Sequence, residues 1–301
     1  MSKLALLFPG QGSQSVGMGK ALFEASAAAR EVFEEADSAL GFPLSRLCFE
    51  GPEEELNLTA NTQPAILTHS VAAWRDLEAR FPERVAGAAL AAGHSLGEYS
   101  ANVAAGALSF RDALLLVRQR GRFMQEAVSP GVGAMAAIVG LPPGEVEAAC
   151  EEAAQGAVVS AANYNSPEQT VIAGHAEAVA RACEACTARG AKRAILLPVS
   201  APFHCALMAP ARERMRPLLE STRFRDARVP VVTNVDARDS VRGASLCVAL
   251  VRQIDSPVRW VDTVRLLARE GVDRALEIGP GNVLAGLVRR TEKGIKVEAY
   301  G

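Results

Sequence analysis

The stretch Val85-Ala-Gly-Ala-Ala-Leu-Ala-Ala-Gly93-His-Ser95-Leu-Gly97-Glu-Tyr-Ser-Ala-Asn-Val-Ala-Ala105 decides how this chain is read. Residues 85–92 form a run of small apolar residues, which predicts a buried strand. Residues 98–105 follow a helical pattern. Between them stands Gly-x-Ser-x-Gly, in the strand-to-helix setting that a nucleophile elbow requires. Glycine on both sides is needed because the neighbouring backbones come too close for side chains. The turn leaves the Ser95 hydroxyl exposed at a helix N-terminus, where the helix dipole favours developing negative charge.

Outward from the elbow, short apolar runs alternate with longer helical patterns, the signature of an α/β fold. Residues 4–8, 229–233 and 274–278 are expected to be further buried parallel strands. Residues 62–79, 112–128 and 258–269 are expected to be helices. The middle of the chain differs. Strand 134–139, helix 142–154, strands 157–163 and 169–173, helix 176–188 and strand 193–199 follow in the order βαββαβ, a ferredoxin-like unit. The expectation is an inserted small subdomain at 131–199, within a large domain made of 1–130 and 200–301.

Composition narrows the function. The 301 residues are 49% hydrophobic and 22% charged, which suits a sizeable globular core. The 32 Lys and Arg against 34 Asp and Glu leave a net charge of −2, without the basic footprint of a nucleic-acid or membrane-surface protein. The apolar run at 4–8 is too short for a signal-peptide core, and the cytosol is the expected compartment. The six cysteines form no disulfide framework. Cys183-x-x-Cys186 raises zinc or redox chemistry, but its spacing from Val179 is that of a buried helical stripe. No metal site is expected.

A serine hydroxyl needs a base, and the chain has four histidines. His94 adjoins Ser95, and side chains on adjacent residues diverge. His69 lies inside a helical pattern, as a packed or surface residue, and His175 is placed to cap a helix. His204 remains, in a loop after a predicted strand, where sites of α/β folds collect. No acidic residue stands at a strand end to complete a triad, so a main-chain carbonyl could orient the histidine instead. Gly10 and Gly12 flank Gln11, either to aim its N–H at a reacting oxygen or simply to form a tight turn. Arg120 falls in the apolar stripe of Ala113, Leu116, Phe123 and Ala127. A buried guanidinium needs a partner, either an internal carboxylate or one on a substrate.

Taken together, Phe8-Pro-Gly-Gln-Gly-Ser-Gln, Gly93-His-Ser-Leu-Gly-Glu-Tyr, Gln119-Arg-Gly, Asn163-Tyr-Asn-Ser-Pro, Ser200-Ala-Pro-Phe-His, Val251-Arg-Gln and Glu277-Ile-Gly-Pro-Gly resemble the malonyl-CoA:acyl carrier protein transacylases of fatty-acid synthesis. The resemblance implies a hydrolase-like parallel-sheet core carrying the ferredoxin-like insertion. It implies Ser95 as nucleophile, His204 as general base, and the N–H groups of Gln11 and Leu96 as oxyanion hole. Arg120 would hold the malonyl carboxylate, with Phe203 selecting malonyl over methylmalonyl and Asn165 beside the pantetheine arm. Gln253 would offer its carbonyl to His204. The substrates implied are malonyl-CoA, as a coenzyme A thioester, and acyl carrier protein. No cofactor is implied, and the chain is expected to act as a monomer. Asn282 departs from the family, whose members often carry lysine there. Lys192, Arg193, Arg212, Arg214 and Arg216 are either a carrier-binding patch or ordinary solvated charges.

Overall fold

The computed structural model describes residues 2–199 and 201–301. The expected boundary residue Ser200 lies outside them. Ten strands are present: β1 (Lys3–Phe8), β2 (Leu90–Gly93), β3 (Gly133–Val139), β4 (Val159–Ser166), β5 (Gln169–His175), β6 (Arg193–Leu196), β7 (Val231–Val232), β8 (Asp239–Ser240), β9 (Val272–Ile278) and β10 (Lys296–Tyr300). The larger sheet has the order β10-β9-β1-β2-β7-β8. Its pairings are parallel except β7 with β8 at one edge.

Both faces of this sheet are buried, as a parallel sheet requires. Leu6, Phe8, Ala91, Val231 and Leu276 face Trp74, Leu77, Ala101 and Ala104 on one side. Ala5, Leu7, Leu90, Ala92 and Val232 face Trp260, Val264, Leu267 and Leu284 on the other. Alternate residues of β1 and β2 therefore serve opposite cores, which explains why these strands read as continuous apolar runs.

The smaller sheet is antiparallel, in the order β4-β5-β3-β6, the pairing of a ferredoxin-like unit. Helices Pro143–Ala154 and Ala176–Ala188 cover one face, packing Val146, Ala149, Val179 and Ala182 on Ala136, Ile138 and Ile172. Cys186 belongs to this layer, and among the described residues no group of His, Cys, Asp and Glu is arranged to hold a metal. The opposite face presents Met135, Ala137, Val171 and Ala173 to the main core. Main-chain bonds tie the smaller sheet to the segment that leads into helix Trp260–Arg269: the Val258 N–H donates to the Ala162 carbonyl, and the Val258 carbonyl accepts from the Tyr164 N–H.

Those bonds explain one correction. The helix expected from residue 258 begins at Trp260, because Val258 is engaged as an isolated bridge to Asn163. A second correction concerns residues 85–92. Only Leu90–Gly93 is strand; Pro82–Val85 is a helical turn and Gly87 takes a left-handed φ of 71°. Ala86 and Gly87 are exposed and Ala88 and Ala89 half-buried; small apolar residues fit such a turn as readily as a buried strand, so hydrophobicity alone could not separate them. Among the described residues, no helix is long and apolar enough to cross a membrane.

The register of β1 on β2 pairs Phe8 with Gly93, so both strands end side by side. The His94 N–H donates to the Phe8 carbonyl at 3.0 Å. A Cβ on Gly97 would lie 2.1 Å from the Phe8 oxygen, and one on Gly10 would lie 2.4 Å from the His94 oxygen. These are main-chain atoms that cannot swing aside. Gly97→Ala should therefore cost about 3 kcal/mol or more of folding stability. Gly286, inside helix Val283–Thr291 with open space around it, gives the opposite expectation. Gly286→Ala should gain roughly 0.5–1 kcal/mol. Urea unfolding midpoints of the two variants check both signs.

Candidate active site

Ser95 sits in the left-handed region, with φ 51°. A non-glycine residue is held there only when its surroundings over-determine it. Asn234 supplies that restraint, because its Oδ1 accepts from the Ser95 N–H at 2.7 Å and its Nδ2 donates to the Gly93 carbonyl at 2.7 Å. The Ser95 Oγ is thereby aimed into a cavity of about 430 Å³, whose walls include Gln11, His94, Leu96, Arg120, Asn165, Phe203 and His204. Met135 and Val171 of the smaller sheet close it from the far side.

His204 Nε2 lies 2.7 Å from the Ser95 Oγ, and its Nδ1 lies 2.8 Å from the main-chain carbonyl of Gln253. A carbonyl only accepts, so Nδ1 carries the proton and Nε2 offers its lone pair to the serine. Burial, reinforced by the Arg120 charge, lowers the His204 pKa from 6.5 to about 3. The imidazole is therefore neutral at pH 7, the form in which it can take a proton. Like Ser95, His204 has positive φ, at 60°.

Arg120 is 1% exposed. It donates to Gln63 Oε1 at 2.8 Å, Gln253 Oε1 at 2.9 Å and Ser95 Oγ at 3.2 Å. Its Nε finds no partner among the described residues, and no carboxylate among them lies within ion-pair distance. The internal-carboxylate alternative is thus not met by direct contact. Glu98, whose charge raises an Arg120 pKa that burial lowers, is buried and hydrogen-bonded to Gln253, and that amide's oxygen accepts from Arg120.

The remaining predicted residues converge on the same cavity. Gln11 lies three residues beyond the end of β1 and Leu96 is the N-cap of helix Gly97–Ala104, and among the described residues neither main-chain N–H donates to an acceptor. Gly12, at φ 99°, turns the chain beside them. Asn165 Oδ1 lies 2.8 Å from His94 Nε2, and the His94 ring packs against Trp260 at 5.6 Å. His94 is therefore occupied with structure and with Asn165. His69 is buried, not at the surface. His175 is not a side-chain cap; its Nδ1 accepts the Val158 N–H at 3.0 Å.

Three residues were not singled out from the sequence: Gln63, Glu98 and Asn234. Glu98 stood inside the quoted elbow motif, but nothing in spacing marks which amides 136 or more residues away will meet it. The basic residues near the site are already engaged within the chain. Arg212 pairs with Asp255 at 2.7 Å, Arg214 with Glu126 at 2.8 Å, Arg216 with Glu213 at 3.6 Å, and Lys192 with Glu168 at 3.9 Å. This favours the reading of ordinary surface charges for these four.

Comparison with known proteins agrees with the geometry. The acyl transferase domain family matches residues 5–300. The chain is 52% identical to the malonyl CoA-acyl carrier protein transacylase of Escherichia coli strain K12, across 96% of this chain and 93% of the relative. Against the protein of the same name from Bacillus subtilis strain 168, it is 49% identical across 99% and 93%. A solved acyl carrier protein S-malonyltransferase from Vibrio cholerae matches with TM-score 0.95 and 47% identity, across 99% of this chain and 96% of that one. A malonyl-transacylase solved in complex with its type II polyketide synthase acyl-carrier protein matches with TM-score 0.95, 49% identity and the same coverage.

The His204 environment carries a pH expectation. Unfolded, the imidazole would take a proton below about 6.5; folded, it resists until about pH 3. The unfolded state therefore binds more protons in this window, and His204 makes stability fall as pH falls. Between pH 7.5 and 5.5, the stability of His204→Gln relative to wild type should rise by about 1 kcal/mol. Denaturant titration at the two pH values measures the shift. Nitrogen NMR of the ring should show no titration step near pH 6.5.

Proposed function

Because the chain belongs to the acyl transferase domain family, among the malonyl CoA-acyl carrier protein transacylases, we propose that Ser95 carries a malonyl group from coenzyme A to the pantetheine thiol of acyl carrier protein, for fatty-acid biosynthesis. The enzyme is an acyltransferase. The observation that carries the residue assignment is the 2.7 Å contact of Ser95 Oγ with His204 Nε2 inside a cavity that also holds the buried Arg120.

In the proposed cycle, His204 Nε2 takes the hydroxyl proton as Ser95 Oγ attacks the thioester carbonyl. The oxyanion is met by the Gln11 and Leu96 N–H groups, with the nucleophile helix behind them. As the C–S bond breaks, the proton passes from His204 to the departing coenzyme A sulfur. The carrier thiol then enters and the steps reverse. The Gln253 carbonyl keeps the imidazolium oriented and stabilised, as an acid does in a triad. The coenzyme A thioester is the substrate, and every bond and proton balances without a metal or redox cofactor.

Arg120 is the proposed malonyl clamp. Its free Nε and its bond to Ser95 Oγ place a donor edge beside the nucleophile, where a carboxylate two bonds from the reacting carbonyl can reach it. Phe203 borders this space, and Asn165, held by His94, lines the approach taken by the pantetheine arm. The chain is read as a cytosolic monomer. The polyketide carrier of the structural relative changes the partner and leaves the chemistry at Ser95 unaltered.

Two results test this reading. Ser95→Ala should form no malonyl-enzyme by mass spectrometry of the intact protein, and should transfer nothing. Stoichiometric malonylation elsewhere would reassign the nucleophile. Arg120→Ala removes a charge-assisted pair worth ~2–5 kcal/mol when desolvated, or roughly 30- to 4,000-fold in kcat/KM for malonyl-CoA. Acetyl-CoA, without the carboxylate, should lose far less, and Arg120→Lys should fall between. Equal losses for both donors would make Arg120 structural.

A further inference from the structure

Glu98 is a fully buried acid, linked by hydrogen bonds to the site, that the proposed cycle does not use. It is 0% exposed on helix Gly97–Ala104, three residues after the nucleophile. Its Oε2 accepts from the Asn234 N–H at 3.0 Å and from Gln253 Nε2 at 2.8 Å, while its Oε1 has no partner among the described residues. The Gln253 Nε2 also donates to the Ser95 carbonyl at 2.9 Å. With three acceptors on its nitrogen side, Asn234 Oδ1 at 3.3 Å being the third, the amide must turn Oε1 outward, and that oxygen accepts from Arg120. The contacts run from Glu98 through one amide to the guanidinium, and through the same residue's carbonyl to His204.

Charge balance then poses a question. An isolated buried guanidinium is costly, and Glu98 at one remove is the acid near enough to offset it. A malonyl carboxylate at Arg120 would add a second negative charge to a site with one positive charge. Guanidinium does not give up its proton, so a carboxylate must take one up. The incoming group touches Arg120 directly and keeps its charge, whereas Glu98 is screened from Arg120 by the Gln253 amide.

We propose that Glu98 is a positioning residue and exchangeable counter-charge: ionised opposite Arg120 in the empty site, and protonated when a substrate carboxylate occupies Arg120. The free Oε1 accepts the proton without breaking either hydrogen bond of Oε2, so the amide relay keeps its geometry through the exchange. Burial raises the Glu98 pKa from 4.5 to about 7, opposed by its hydrogen bonds to Asn234 and Gln253 and by the Arg120 charge. The other ionisable groups close to it, Asp236 and the adjoining Tyr99, do not donate to it. The proton comes from solvent, and acyl transfer itself is otherwise proton-neutral.

This inference rests on the malonyl reading of the site. The test mixes the full-length enzyme with malonyl-CoA in weak buffer at pH 8 with an indicator dye. Proton uptake is counted per malonyl-enzyme found by mass spectrometry and corrected for ionisation of the released coenzyme A thiol. Wild type should take up on the order of one proton per acyl-enzyme, and Glu98→Gln, which keeps the size and an accepting oxygen, should take up none. The infrared difference spectrum of wild type should gain a protonated-carboxyl stretch that carbon-13 in the malonyl group does not move. Stoichiometric malonylation without uptake, the same uptake in Glu98→Gln, or no such stretch overturns the inference and leaves the malonyl reading intact. Failure to form any malonyl-enzyme removes both.

Discussion

The structure depends on one main-chain contact, the approach of the nucleophile turn to the end of β1. Gly93, Gly97 and Gly10 bring the backbones so close that a Cβ at any of them would overlap a carbonyl group. That contact places the Gln11 turn beside Ser95 and sends helix Gly97–Ala104 away from the sheet. Ser95 at the turn has positive φ, a conformation that Asn234 stabilises from just beyond the neighbouring strand β7. Strain at the nucleophile is thus offset by hydrogen bonds to a residue that does not touch the reacting atoms.

Electrostatics is the second constraint. A buried arginine and a buried neutral histidine share the site, and each affects the other. Arg120 helps hold His204 unprotonated, so a neutral imidazole faces the Ser95 hydroxyl. Gln253 connects the two, with its side chain on Arg120 and its main-chain carbonyl on His204 Nδ1. One residue therefore fixes both the Arg120 guanidinium and the His204 imidazole. A hydrolase triad puts an acid against the histidine; here the acid, Glu98, sits one amide further away.

The smaller sheet matters to the site through its uncovered face. Strand alternation divides β3 between two tasks, with Ala136 and Ile138 under the helices and Met135 and Ala137 toward the main core. Met135, Val171 and Asn165 thereby wall the cavity from the insertion, opposite Ser95 and Arg120. Val258, just before helix Trp260–Arg269, bonds by its main chain to β4 of the smaller sheet. Both layers wall the cavity, which exists only where they meet.

Local sequence determined what local physics decides. The glycines of the elbow, the βαββαβ order, the helix over 176–188 and the apolar stripe containing Arg120 all follow from spacing within a few residues. The histidine ranking reached His204 by elimination, and the family motifs brought in Gln11, Leu96, Asn165 and Gln253. Local pattern failed where neighbours in space outvote neighbours in sequence. Residues 85–92 split into turn and strand, Val258 left its helix for a bridge, and the short edge strands β8 and β10 exist through their pairing. Only the tertiary structure decided that Arg120 meets amides in place of an acid, that Glu98 lies behind Gln253, and that Asn234 holds the elbow. Those contacts join residues far apart in the chain, and a buried polar group takes its partner from whatever the packing brings within about 3 Å.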